Sequence, residues 1–291
     1  GTLTRNEMMV TTAVTSGERY EITGEGYGSD GMVCRGGQPV TGDGVLAELA
    51  RAAALCNDAS IIGKDGQPSI HGDPMEAALK VFAGKAEFDH LNSATAWPRV
   101  DEVPFDTRIR FMATLHHDHH GHGIAYLKGA PERILAMCAH QVSTDGGTEP
   151  LSTEHWERII TEMASEGLRV LALARRPMAK GSRELVLEEL EQGAELLGVV
   201  GLLDPPRQEA IRAIKECHDA GIRVKMITGD HALTAGAIAR KLGLRNADRV
   251  LTGKELDDLD EDQLRSLAGE VDVFARTSPE HKLRLVKALQ A

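Results

Sequence analysis

No apolar run in this chain is long enough to cross a membrane. The longest, "LLGVVGLL" at 196–203, falls far short of the roughly 20 residues that a membrane helix needs. No basic tract offsets the formal charge of −11, which argues against a partner bound through nucleic-acid phosphates. Cys34, Cys56, Cys138 and Cys217 are isolated, with no CxxC pair, so neither a disulfide framework nor a cysteine metal site is expected; reduced thiols suit the cytosol. No signal peptide, internal repeat or low-complexity linker is visible, and aromatic residues are few. What remains is the composition of a soluble globular protein, with room in 291 residues for two domains. Its first residues, "GTLTRNEMMV", include no initiating Met, and its last follow a helical pattern, so an excised fragment is expected.

Two kinds of organisation are present. Residues 196–291 alternate strand and helix: "LLGVVGLL" reads as a buried strand, "DPPRQEAIRAIKECHDAG" as a helix with Pro at its start and Ala210, Ile211, Ile214 and Cys217 on one face. "RVLTG" and "VDVFAR" read as strands around the helix "DEDQLRSLAG", and Ser278-Pro279 suits N-cap and N1 of a last helix. Such alternation predicts a mostly parallel, doubly wound sheet. Residues 7–195 mix strands with helices at 43–56, 74–83, 131–138 and 152–166, predicting an α+β domain on an antiparallel sheet. Within it "RIRFMATLHHDHHGHGIAYLKGA" reads as a hairpin with a histidine-rich tip. "LLDPPR" would be the joint, its two prolines stiffening the crossing.

The stretch "IRVKMITGDHALTAGAIARKLG", 222–243, pairs a strand pattern of about 6–7 residues with a small-residue helix. Thr228, Gly229 and Asp230 thus fall where the carboxyl end of a strand meets a helix N-terminus, a corner that favours anionic ligands in open α/β sheets. An ordinary tight turn with Asp230 as the helix cap accounts for that stretch alone equally well.

"GTLTRNE", "GDPMEAAL", "VPFDTRIRFMA", "YLKGAPERIL", "GLRVLALA", "LLDPPR", "MITGDHALTAGAIARKLG" and "FARTSPEHKLRLVKALQ" follow one another in the order found in P-type cation-transporting ATPases. The chain resembles their cytoplasmic nucleotide-binding and phosphorylation region. "KGAPE" and "DPPR" are more similar to calcium and sodium/potassium pumps than to heavy-metal pumps. The resemblance implies a nucleotide-binding domain, 7–203, inserted into a phosphorylation domain of haloacid-dehalogenase type, 1–6 and 204–291. It implies ATP and Mg2+ as cofactors, and an Asp in D-K-T-G-T-L-T that takes the γ-phosphoryl group. It further implies partner transmembrane and actuator domains, a transported cation, and a place on the cytoplasmic side of an integral membrane protein. The chain opens at the Gly of that Asp motif and ends before the G-D-G-x-N-D segment that helps hold magnesium. By itself it is therefore expected neither to form the aspartyl phosphate nor to move an ion.

Residue by residue, the resemblance assigns Thr228 and the Gly229 backbone as donors to the phosphoryl group, and Lys282 as the positive charge beside it. Arg276 would hold the phosphate chain and Asp230 would lie near ribose and phosphates. Phosphoryl transfer needs such donors and cations for charge spreading over the phosphoryl oxygens. In the other domain Lys128 would floor an adenosine pocket, Phe105 stack on the adenine, and Glu76 accept from its exocyclic amine. Arg169 would reach the phosphates, Leu171 line the base, and Arg207 contribute near sugar or phosphates. Thr107 and Met75 stand where many relatives carry a basic residue and Thr, which lowers the expected affinity for ATP.

Two other readings fit parts of the pattern. A free-standing phosphatase of the haloacid-dehalogenase class with a large cap shares the Thr and Lys logic without explaining the adenosine-type motifs. A non-catalytic nucleotide-binding module is the third. "HHDHHGHG" at 116–123 offers imidazoles that can bind zinc or nickel, but on a hairpin tip without cysteine the expectation is a solvated loop and no metal site.

Overall fold

The computed structural model describes residues 3–5, 7–24, 26–28, 30–42, 44–64, 67–87, 95–118, 120–230 and 232–290, at 63, 64, 67 and 68 as backbone alone. The chain divides into two compact units, Glu7–Ile160 with Val170–Leu203, and Gly1–Asn6 with Thr161–Arg169 and Asp204–Ala291.

The first unit begins with strands β1 (Met9–Val14), β2 (Arg19–Ile22), β3 (Val33–Arg35) and β4 (Gln38–Pro39), followed by helix α1 (Gly44–Leu55). A small hairpin, β5 (Ser60–Lys64) and β6 (Gln67–His71), leads to helix α2 (Pro74–Lys85). Strands β7 (Arg99–Val103), β8 (Phe111–His117) and β9 (Gly123–Gly129) precede helix α3 (Pro131–Met137). Then come β10 (Cys138–Val142), β11 (Thr148–Pro150), helix α4 (Thr153–Ser165), whose residues from Thr161 on belong to the second unit as does Arg169, β12 (Arg169–Met178), the short helix α5 (Leu187–Leu190) and β13 (Ala194–Leu203).

These strands form an eleven-stranded sheet with the path β4-β3-β2-β1-β13-β12-β9-β8-β7 and with β10 and β11 off it. β1 runs antiparallel to β2 and β13, and β9 antiparallel to β8 and β12, while β10 lies parallel to β13. β13 is "LLGVVGLL" lengthened by two residues, and Leu196 to Leu202 along it are buried. Apolar residues on one face of β8, β9 and β12, among them Met112, Tyr126 and Leu173, pack against Leu46, Leu49, Ala50 and Ala53 of α1 and Leu79, Phe82 and Ala83 of α2. Fully removing a Leu or Phe side chain from water stabilises a fold by about 1.5–3 kcal/mol, so each such residue of this layer contributes on that order.

The second unit adds helix α6 (Gln208–Asp219), β14 (Met226–Ile227), helix α7 (Ala232–Leu242), β15 (Val250–Thr252), helices α8 (Gly253–Asp257) and α9 (Glu261–Glu270), β16 (Val273–Ala275) and helix α10 (Pro279–Gln290). Its three strands are parallel in the order β14-β16-β15. The strand expected from Ile222 onward is only two residues long. Ile222 is 56% exposed, and Arg223 and Lys225 instead bind the Asp272 carboxylate and backbone carbonyls at the end of α9. The helix predicted at "DEDQLRSLAG" is α9, started by a reciprocal capping box of Asp260 and Gln263. Around "LLDPPR" the chain is tied to its own beginning. Thr4 Oγ1 donates to Asp204 Oδ2 at 2.6 Å, Arg5 N to Pro205 O at 3.0 Å and Arg207 N to Leu3 O at 2.9 Å.

Candidate nucleotide and phosphoryl sites

In the first unit the local sequence explains how Glu76 and Lys128 are presented. Asp73 caps α2 by accepting from Met75 N at 2.8 Å, Pro74 takes N1, and Glu76 falls in the first helical turn. Lys128 lies on β9 opposite Met112 of β8 and Leu173 of β12, on the sheet face that α1 and α2 cover. Gly129 follows because a Cβ there would sit 2.5 Å from Arg110 O and 2.6 Å from Phe111 Cβ; Pro131 then opens α3 at N1. The two side chains meet: Lys128 Nζ donates to Glu76 Oε1 at 2.5 Å and to Cys56 O, past the end of α1, at 2.6 Å. The other carboxylate oxygen, Oε2, accepts from Asp58 N at 3.1 Å. Burial pushes the neighbouring Cys56 thiol up and the Lys80 ammonium, one turn along α2, down; the charges of Arg99 and Lys128 add to the effect on Lys80.

Phe105 is 59% exposed on the loop joining β7 to β8. Val103 pairs with Ala113 and Met112 with Lys128, so that loop leaves the sheet at the end where Lys128 lies. Asp106 shapes it, accepting from Arg108 N at 2.7 Å, with Arg110 N on its carbonyl at 2.7 Å. The Arg108 guanidinium holds the Asp106 carboxyl down at about 2. Leu171 is half-buried against the core, and Arg169 is exposed at the start of β12.

In the second unit the ends of β14 and β16 are drawn together. Thr228 N donates to Phe274 O at 2.9 Å, Thr277 N to Thr228 O at 3.1 Å, and Arg276 N to Asp230 O at 2.9 Å. Thr228 Oγ1 donates to Asp230 Oδ2 at 2.7 Å and accepts from Asp230 N at 3.1 Å. Gly229 is exposed, and among the described residues nothing lies within 4 Å of a Cβ built on it. Arg276 is exposed in the left-handed region, at φ 52°. Lys282 is exposed in the first turn of α10. Arg207 occupies the N-cap position of α6 without a side-chain cap, and donates through Nε to Thr4 O at 2.8 Å.

Sequence reasoning passed over His281. Its Nδ1 accepts from Ser278 N at 3.0 Å and its Nε2 donates to Asp257 Oδ1 at 2.8 Å, so it closes a capping box at the start of α10 and ties it to α8. Ser278 followed three residues on by a side chain able to accept was the available signal.

The histidine-rich run divides, and the expectation of a solvated loop holds for only part of it. His116 is 2% exposed; its Nδ1 donates to Trp97 O and its Nε2 accepts from Thr114 Oγ1, both at 2.9 Å. His117 donates to Ser182 O, and Asp118 gathers the amides of His120 and His122 and the His122 ring at 2.8 Å each. His119 lies outside the described residues.

The fold defines a two-unit chain, one unit on a large, chiefly antiparallel sheet and the other on parallel strands alternating with helices. Residues 45–209, more than half the chain, match the cytoplasmic domain N of P-type ATPases, and the chain belongs to that family. It is 39% identical over its whole length to the cation-transporting ATPase pma1 of Synechocystis, and 40% identical to the probable cation-transporting ATPase F of Mycobacterium tuberculosis. It is 35% identical to the calcium-transporting ATPase of Bacillus subtilis. In each case it spans 33% of the relative's length.

Proposed function

We propose that this chain is the ATP-handling part of a P-type cation pump, a protein that couples ATP hydrolysis through an aspartyl phosphate to cation transport. The observation that carries this reading is the buried Glu76–Lys128 pair at 2.5 Å, a charge-balanced floor suited to a neutral base. On this reading residues 7–203 form the nucleotide-binding domain. Glu76 accepts from the exocyclic amine of adenine, Phe105 stacks on the ring, and Leu171 lines it; base–aromatic stacking contributes about 1–3 kcal/mol. Arg169 and Arg207 serve the phosphates and sugar.

Residues 1–6 and 204–291 form a phosphorylation domain of haloacid-dehalogenase type, whose three parallel strands and α6, α7, α9 and α10 support that assignment. Thr228 and the Gly229 amide donate to the phosphoryl group once the Thr228 hydroxyl turns from Asp230. Lys282 and Arg276 offset its charge, and Asp230 lies near ribose and phosphates. Mg2+ would accompany the nucleotide phosphates and neutralise their charge. Among the described residues no group of three or more His, Cys, Asp or Glu is arranged to hold a metal. The proposed partners are the pump's own transmembrane and actuator domains and its cation, with this chain on the cytoplasmic side.

Titration calorimetry of the chain with ATP tests the reading. Lys128→Ala and Glu76→Ala are each expected to weaken binding, and unchanged affinity in both variants would remove the pocket assignment.

A further inference from the structure

Glu76 is held in place by a turn, and the turn is held by a residue that never touches it. Residues 55–58, "LCND", leave the end of α1 with three successive carbonyls bound by cations. Arg99 Nη2 donates to Leu55 O at 3.2 Å and to Asn57 O at 2.8 Å, while Lys128 Nζ takes Cys56 O at 2.6 Å. Arg99 Nη1 donates to Asp58 Oδ1 and to Glu102 Oε2, both at 2.6 Å. Asp58 is the link, since Arg99 grips its carboxylate and its backbone N–H holds Glu76 Oε2 at 3.1 Å. Asn57, 4% exposed, closes the turn by donating to Ala53 O at 3.0 Å and Glu76 O at 2.7 Å.

Resting on the nucleobase reading above, we infer that Arg99 is a positioning residue that sets base selectivity by fixing the Glu76 carboxylate through Asp58. With one oxygen on Lys128 and the other on the Asp58 amide, the carboxylate cannot rotate, and its free lone pairs keep one direction. Without the Asp58 amide, Glu76 keeps a single strong contact and can swing about Lys128. The 6-amino group of adenine donates a hydrogen bond and the 6-oxo group of guanine accepts one. A fixed carboxylate therefore favours ATP over GTP, and a loose one favours it less. Arg rather than Lys suits the position because its planar fork can hold two carbonyls and two carboxylates at once.

The test is calorimetric titration of the chain with ATP and with GTP, for the parent, Arg99→Met, Arg99→Lys and Glu76→Gln, with hydrogen exchange at the Asp58 amide. Arg99→Met is expected to lower the ATP-to-GTP affinity ratio by about five- to tenfold, as the Glu76 contact with the base is loosened rather than lost, with faster exchange at Asp58. Arg99→Lys should fall between it and the parent. Glu76→Gln, with Oε1 kept on Lys128 by its charge, puts an NH2 donor where Oε2 accepted from Asp58 N and toward the base, and should cancel the ATP preference. A parental ratio in Arg99→Met beside a collapsed one in Glu76→Gln overturns the role of Arg99 and leaves the pocket standing. An unchanged ratio in Glu76→Gln overturns both. If Arg99→Met does not fold, a parental ratio in Arg99→Lys overturns the role of Arg99.

Discussion

The Lys128 ammonium and the Glu76 carboxylate, 52 residues apart in sequence, meet at 2.5 Å with 8% and 15% of their side chains exposed. Such a pair is stable because each charge answers the other, and removing one partner strands the second. Lys128→Met is therefore expected to cost about 3–5 kcal/mol. The double variant Lys128→Met, Glu76→Leu should cost clearly less than the sum of the two single changes, as urea denaturation will read. Strict additivity would mean that the pair is not energetically coupled.

Phe105 separates binding from stability. With 59% of the residue exposed it contributes little to the core, so Phe105→Ala should leave the denaturation midpoint nearly unchanged. If adenine stacks on it, the same change should weaken ATP binding by about 5- to 150-fold, equivalent to 1–3 kcal/mol. A fall in stability with unchanged affinity would assign the ring to packing instead.

Legibility in the sequence followed the physics of each element. The β8–β9 hairpin and β13 stood out because their burial writes a continuous apolar run. The start of α10 stood out because caps need particular letters, Ser278-Pro279. β14 was overestimated for the opposite reason. Ile222, Val224 and Met226 alternate as a strand would, but Arg223 and Lys225 between them are claimed by Asp272, 1% exposed, and by the carbonyls ending α9. α8, five residues long, is too short to show a helical period. In the site, Glu76 and Lys128 were readable as chemistry-bearing letters, but their contact was not. The support from the "LCND" turn was hidden because backbone carbonyls leave no mark in a sequence. Arg99 stands in none of the motifs that the sequence offers.

His116 should make the first unit sensitive to acid. Burial lowers its pKa to about 4, with the Arg99 charge adding to the effect, although the hydrogen bond to Trp97 O opposes it. The unfolded chain takes up this proton near pH 6.5, whereas the folded one resists until about pH 4. Between those values the unfolded state binds more protons, so stability falls as pH is lowered across the window and levels off below it, by up to about 3 kcal/mol. His116→Gln should lose some stability at pH 7 and show a flatter slope between pH 6.5 and 4 in urea denaturation. An identical slope in both proteins would mean that His116 does not control this loss.

Gly253 joins β15 to α8, where the carbonyl of Arg276 and the ring of His281 close over it. A Cβ at this position would sit 2.3 Å from Arg276 O and 2.9 Å from His281 Nδ1 and Cε1. Those are the atoms that set the start of α10: the same Nδ1 accepts from Ser278 N, and Lys282 is the next residue. Helix propensity alone would make Gly253→Ala stabilising by up to about 1 kcal/mol. The clash should reverse that sign, giving a loss of about 1–3 kcal/mol and faster hydrogen exchange at the Ser278 amide as the His281 ring is pushed aside. Gly269→Ala in α9 is the matched control, because nothing lies within 4 Å of its Cβ and it should be neutral or stabilising. If Gly253→Ala behaves like Gly269→Ala, the close approach of Arg276 and His281 does not constrain this corner. If it alone is destabilised and also loses affinity for phosphate-bearing ligands, the start of α10 and the phosphoryl site share one support.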